Sequence, residues 1–512
     1  MASSEEITET IPALLRRQAE NRPDKVFLYF HDLEVTYRQL DEITNRLANG
    51  LTRLGIRKGE KICLLLSNRP EFVYVFLGGP KVGAVLVPIN IRLKAEEVQY
   101  IVENSDATVI VTEDTFLPLI QAIRPTCPKI QHVVVIGEPE RQEVIPFSRL
   151  LEAPASEPPV EILPQDEMGI IYTSGTTGKP KGVVLTHENY YVNSQQGVMV
   201  SRMGPDERAM CILPLFHVNG QVVTILMPLQ AGGSLILTEG FSPKTFFHHI
   251  TRYRATTFSG VPTVYSILLH APEAEHYDLS GLRMCICGAA PMPVEVLTRF
   301  EKKFNTKIIE GYGLSEGTCA STLNPIEGER KIGSVGVPLP GQEIKIVDDH
   351  DRELPPGQVG EVLIRGRNVM KGYYKNPEAT AEALRGGWLH TGDLGYRDED
   401  GFLYLVGRKK EMIIRGGVNI YPKEIEEVLY RHPKVKEAAV IGLPDEIWGE
   451  EVACCLILKE GETWTEEDVI AYCQEHLADF KCPRKVFFVE AFPKTATGKI
   501  QKHLLAESVL DK

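Results

Sequence analysis

Four short apolar runs, Ile62–Leu66, Ala84–Pro88, Thr108–Thr112 and His132–Ile136, recur with enough chain between them to hold a helix. That spacing constrains the fold strongly, because hairpin strands need only a short turn whereas parallel strands need a long crossover. Parallel βαβ units are therefore expected, with helices between the strands. One such helix is legible where Leu40, Ile43, Leu47, Leu51 and Leu54 recur at helical spacing and Gly55 follows as a stop. An earlier amphipathic segment surrounds Ile11, Leu14 and Leu15.

The 512 residues are 43% hydrophobic, enough for a sizeable core spread over several structural units. A Pro/Glu-rich stretch over 153–164 reads as an exposed connection, and past residue 330 the texture changes to short strands with turns, as in Gly341–Val347 and Gly360–Arg365. From about Glu411 a final unit carries its own helix, Pro422–Tyr430, and reads as a small α+β domain. Net charge of −13 and a pI near 5.6 argue against a general nucleic-acid binder or a binder of anionic membranes. Ten scattered cysteines without metal-ligand spacing read as buried thiols. No apolar window approaches membrane-spanning length, and Met1–Glu6 lacks the basic and apolar regions of a secretory leader, so a cytoplasmic protein is expected.

The run from Tyr172 to Gly182, Tyr-Thr-Ser-Gly-Thr-Thr-Gly-Lys-Pro-Lys-Gly, is a phosphate-handling loop by composition. Its glycines permit close backbone approach, exposed N–H groups can cradle an anion, and the Ser174, Thr176 and Thr177 hydroxyls add donors beside Lys179 and Lys181. The preceding Met168–Tyr172 reads as a buried strand, which puts the loop at a strand's carboxyl end. It is not a Walker loop, because Pro180 follows Lys179 and the register fails.

Further polar segments answer what ATP-dependent activation of a carboxylate needs. Glu310–Glu316 offers an aromatic face at Tyr312, a hydroxyl at Ser315 and a carboxylate at Glu316 for Mg²⁺; on its own it is also compatible with a Gly-rich turn after the strand Lys307–Glu310. Asp393, in Thr391-Gly-Asp393, can accept from ribose hydroxyls or simply cap a turn. Gly407–Glu411 combines Arg408 with a charged joint, and Pro493–Ile500 places the mobile charge of Lys499 after a glycine.

Together with Leu213–Gly220 and Gly288–Pro291, these motifs resemble, in order and over nearly the whole chain, the adenylate-forming superfamily that includes acyl- and aryl-CoA synthetases, beetle luciferases and peptide-synthetase adenylation domains. The resemblance implies a large α/β domain of several subdomains over 1–410 and a small, mobile α+β domain over 411–512 that rotates between two half-reactions. In the first, a carboxylate attacks the α-phosphorus of MgATP to give acyl-adenylate and pyrophosphate. In the second, a thiol displaces AMP. Thr173, Ser174, Gly175, Thr176, Thr177, Gly178 and Lys179 would hold the β- and γ-phosphates. Gly288, Ala289, Ala290 and Pro291, with Glu310, Gly311, Tyr312 and Gly313, would form the adenine and nucleotide wall. Asp393 and Arg408 would grip ribose, Ser315 would touch the α-phosphate, and Glu316 would place Mg²⁺. Lys499 would bridge carboxylate and α-phosphate. Ser315 stands where Thr is more usual and keeps the hydroxyl.

The same resemblance makes Lys410 the hinge and Gly416-Gly417 the passage for pantetheine. His217 admits three readings: an aromatic gate beside the acyl site, a neutral hydrogen-bonding core histidine, or a general base. By family position Asn219, Gln221, Val261, Cys287, Gly313 and Thr318 line the acid pocket. An aliphatic acid activated with ATP and CoA as co-substrates is expected, with an aromatic acid or a separate carrier protein as alternatives. A luciferase-like oxygenase and a regulator that binds nucleotide without catalysis are readings from other classes. A homodimer is an admissible assembly.

Overall fold

The computed structural model describes residues 9–137, 143–173, 179–277, 279–290, 292–494 and 500–510. The four apolar runs form the strands Lys61–Leu65, Val85–Pro88, Ala107–Glu113 and His132–Ile136, which pair in parallel as their spacing requires. They belong to an eight-stranded sheet that is extended on one side by Glu167–Thr173, Lys181–Thr186 and Gly372–Tyr373. The helix Tyr37–Arg53 starts at a capping box, in which the Thr36 hydroxyl accepts from Gln39 N and the Gln39 side chain accepts from Thr36 N. Its Leu40, Leu47 and Leu51 are fully buried, each contributing about 1.5–3 kcal/mol of transfer free energy. Gly55, at φ 88°, ends the turn in the left-handed region that glycine enters without a Cβ clash.

A second, nine-stranded sheet runs in spatial order through 337–338, 322–323, 308–312, 284–287, 257–260, 208–211, 234–237, 26–30 and 33–36. Its central strands are parallel and its margins antiparallel. Four antiparallel strands, Glu343–Val347, Gly360–Arg365, Leu389–Arg397 and Leu403–Arg408, make a third layer, matching the change of texture past residue 330. The stretch 153–164 carries neither helix nor strand.

Past Arg408 the chain leaves that layer and enters a separate sheet of five strands. Val435–Asp445 and Gly449–Leu458 form its long antiparallel pair, and the helix Pro422–Arg431 packs on it with Ile425 and Leu429 fully buried. This is the large α/β body and small α+β unit expected from the sequence. The buried strand expected over Met168–Tyr172 is Glu167–Thr173, which pairs in parallel with Val85–Pro88 and antiparallel with Lys181–Thr186.

All ten cysteines are thiols, nine of them buried. Among the described residues, no helix is long and apolar enough to cross a membrane.

Candidate active site

Where the nine-stranded sheet, the four-stranded layer and the small unit meet, a cavity of about 330 Å³ opens. The strand Ile308–Tyr312 delivers Glu310, Gly311, Tyr312 and Gly313 to one wall, and the end of Met284–Cys287 delivers Cys287, Ala289 and Ala290. Val261, Met292, Asp393 and Arg408 are among the other lining residues contributed by the large body. Parallel strand ends converge here because each crossover returns the chain to the same edge of the sheet.

The floor is a hydrogen-bonded triad. The Tyr312 hydroxyl donates to Asp393 Oδ2 at 2.6 Å, and Arg408 Nε donates to Asp393 Oδ1 at 3.1 Å. Neighbouring strands bring the last two together, since Asp393 and Arg408 are register partners in the antiparallel pair 389–397 and 403–408. Burial and the adjacent Asp393 carboxylate push the Tyr312 phenol well above its usual range, so it stays a donor. Two backbone features admit close approach here. A Cβ on Gly313 would lie 1.8 Å from Cys319 O, and Ala289 holds φ 67°, a cost for a non-glycine residue that clusters at ligand-binding turns.

Glu310 is buried, and loss of water raises its carboxyl to about 7, opposed by Lys423, a backbone hydrogen bond from Gly333 and Arg330. Gly288 sits at the cavity's edge by sequence but not in its lining, and a Cβ there would meet Gly311 O at 3.4 Å. Ser315 and Glu316 follow in a short 3-10 turn, also outside the lining. The Glu316 carboxylate accepts from the Tyr373 hydroxyl at 2.9 Å, and no ion pair to Glu316 occurs among the described residues. Its second oxygen, without a hydrogen bond among the described residues, is a hard donor that suits a divalent cation such as Mg²⁺.

On the phosphate side, Thr173 pairs with Lys181, the exposed Lys179 Nζ lies 5.3 Å from the Tyr100 ring centroid, and Lys181 Nζ lies 5.1 Å from that of Tyr373. Ser174, Gly175, Thr176, Thr177, Gly178, Pro291 and Lys499 lie outside the described residues. The neighbours of the Lys499 segment are informative: Lys494 and Ile500 pair with each other, and both border the cavity.

The proposed acid-pocket residues divide. Val261 and Cys287 line the cavity. Gln221 is wholly buried and outside that lining, with Oε1 accepting from the Tyr190 hydroxyl and Nε2 donating to Leu215 O. Thr318 likewise spends its hydroxyl on Asn368 O at 2.6 Å. Asn219 Oδ1 and His217 Nε2 are buried without a hydrogen-bond partner, in the turn that enters the π-helix Gly220–Leu226. Burial lowers His217 to about 4, so its ring is neutral at physiological pH. That favours the gate and core readings over a base poised near neutrality.

Sequence reasoning missed the small unit's share of the wall. Lys423, Glu426, Glu427 and Tyr430 line the cavity from one helical face at i, i+3, i+4 and i+7, a spacing visible in the sequence once the helix is assigned. Lys502 joins them and pairs with Glu426 at 2.6 Å. Lys423 Nζ also donates to Leu405 O at 2.8 Å, tying the small unit to the four-stranded layer. Lys410 is exposed between the two, and Gly416 and Gly417 are exposed in the turn joining strands 413–415 and 418–420.

Residues 15–374 match the family model "AMP-binding enzyme", and residues 424–499 match "AMP-binding enzyme C-terminal domain". The long-chain-fatty-acid–CoA ligase of Bacillus subtilis (strain 168) is 35% identical, over 98% of this chain and 94% of that protein. The anthranilate CoA ligase AuaEII, solved in complex with anthranoyl-AMP, superposes with a TM-score of 0.93 at 33% identity, over 99% of both chains. ATP-bound MatB from Rhodopseudomonas palustris gives 0.91 at 32% identity, over 98% of this chain and 99% of that one, and apo MatB gives 0.81.

Proposed function

The chain belongs to the AMP-binding enzyme family and is an ATP-dependent acid:CoA ligase, and on that premise we propose that it activates an aliphatic carboxylic acid through the cavity shared by its two units. One observation carries the reading: the Tyr312–Asp393–Arg408 triad and both ends of the Lys499 segment border the same cavity. A free carboxylate is a poor electrophile. Joining it to AMP supplies a leaving group, and this requires bringing two anions together, which positive charge must offset.

In this reading Asp393 and Arg408 hold the ribose, and Tyr312 covers adenine with a ring fixed by its own hydroxyl. Ser315 donates to the α-phosphate. Thr173 to Lys179 hold the outer phosphates, and Lys499 bridges carboxylate and α-phosphate as charge crowds on the reacting oxygens. Glu316 would hold Mg²⁺, which neutralises phosphate charge when bound. The small unit then turns about Lys410, and Gly416 and Gly417 enter the cleft so that pantetheine passes where side chains are absent. His217 gates that passage.

Val261, Cys287 and Met292 give the cavity wall apolar groups, the last of them flexible, which suits an aliphatic chain. The likeness to the anthranilate ligase supports an aromatic acid as the second reading. The comparison that tests the choice is pyrophosphate release with matched aliphatic and aromatic acids at equal concentration. Preference for the aromatic set overturns the aliphatic assignment. The assigned compartment is the cytoplasm.

A further inference from the structure

The helix His187–Ser201 buries an amide face beside the apolar one that Tyr190, Tyr191 and Val192 turn to the core. Asn189, Asn193 and Gln196, spaced to share the amide face, are only 5%, 1% and 5% exposed. Burying amides is costly unless their polar atoms are bonded, so their partners identify what the face is for.

The partners converge on the chain around Glu316. Asn193 holds both backbone polar groups of one residue: its Nδ2 donates to Ala320 O at 2.7 Å and its Oδ1 accepts from Ala320 N at 3.1 Å. Gln342 Nε2 adds a second donor to Ala320 O at 3.0 Å and donates to Gln196 Oε1 at 2.7 Å. Asn189 Nδ2 donates to Arg367 O at 2.8 Å and Val369 O at 3.0 Å. The segment thus held reaches Glu316 directly. Met370 N donates to Glu316 O at 2.8 Å, Asn368 Nδ2 donates to Gly317 O at 3.0 Å, and the Tyr373 hydroxyl donates to the Glu316 carboxylate.

The other end of the helix is just as fixed. It grows directly from the strand Lys181–Thr186, through a capping box in which Asn189 and Thr186 bond each other's backbone N–H. That strand is the exit of the phosphate segment. We infer that Asn193, assisted by Asn189, is a positioning residue that sets the Glu316 turn against the phosphate segment. The two halves that must grip one triphosphate lie more than 130 residues apart in sequence, and this buried amide face is a covalently short, hydrogen-bonded bridge between them. The inference deepens the proposed function and rests on its assignment of Glu316.

The test uses the full chain with Asn193→Ala and, as a control of general destabilisation, Tyr37→Phe, which removes the distant buried bond from the Tyr37 hydroxyl to Gly233 O. Three quantities are read: MgATP affinity by calorimetry without acid, the KM values for MgATP and for the acid, and hydrogen exchange over residues 313–321. Asn193→Ala is expected to weaken MgATP binding about tenfold, to leave the acid KM within about twofold, and to speed exchange at the Ala320 amide. Tyr37→Phe should lower the melting temperature without any of these changes. If Asn193→Ala does not fold, Asn193→Ser is read in the same way. Unchanged MgATP affinity with faster Ala320 exchange would overturn the positioning role, as would equal rises in both KM values. Slow exchange in the variant would overturn the clamp itself, even if wild-type protein failed to bind MgATP and so contradicted the assignment of Glu316.

Discussion

Asp393 receives the Tyr312 hydroxyl on one carboxylate oxygen at 2.6 Å and the Arg408 guanidinium on the other at 3.1 Å. The bond fixes the Tyr312 ring and aligns the carboxylate at once. Tyr312→Phe should therefore weaken AMP binding by about tenfold, the scale of one hydrogen bond to a charged group. Calorimetric titration with AMP checks it, and unchanged affinity would show that the hydroxyl does not orient Asp393 for ribose.

Glu310 offers a pH signature. Its buried carboxyl is raised from 4.5 to about 7, so between those values the folded state holds a proton that the unfolded state has released. Stability then falls as pH rises through that window and levels off above about 7. Glu310→Gln should flatten this dependence and stabilise the protein at pH 8. Melting temperatures from pH 5 to pH 8 decide it, and parallel curves for the two proteins would contradict the shift.

Gly417 holds φ 81° with open space around it, whereas a Cβ on Gly416 would meet the Trp448 ring at 2.7 Å. A Cβ at 417 bears some backbone strain but meets no heavy atom within 4 Å in this arrangement. Gly417→Leu should keep pyrophosphate release within about threefold and slow thioester formation from acyl-adenylate by at least about tenfold. Single-turnover assays of each half-reaction separate the two, and equal losses would remove the pantetheine passage.

Lys499→Ala should cut pyrophosphate release by about a hundredfold or more, since on the proposed reading it removes the positive charge that offsets the reacting oxygens. The same variant, supplied with preformed acyl-adenylate and CoA, should still make thioester. Wild-type pyrophosphate release would withdraw the bridging role.

The parallel core was legible because its strands are apolar runs at crossover spacing, and the helix Tyr37–Arg53 because leucines mark one of its faces and Gly55 its end. Tyr312, Asp393 and Arg408 were legible as residue types in sequence motifs, but the Asp393–Arg408 contact depends on the register of two neighbouring strands and the Tyr312–Asp393 contact joins residues 81 apart in the chain. The bonds of Gln221 to Tyr190 and Leu215 were not legible, because a polar side chain near a motif gives no sign in sequence of which partners it meets. The buried amides of 189, 193 and 196 read as ordinary helix polarity, since their partners lie more than a hundred residues away. The cavity-lining face of Pro422–Arg431 was hidden for the same reason: spacing shows that four residues share a face but not what the face meets.

The central claim is tested most directly by incubating the protein with MgATP and a panel of short, medium, long and aromatic acids, with and without CoA, and following pyrophosphate and thioester mass. Acid-dependent pyrophosphate release, with acyl-CoA and AMP formed only when CoA is present, is the predicted result. Pyrophosphate release with no acyl-CoA for any acid would contradict CoA as the acceptor, and no release with any acid would contradict the ligase.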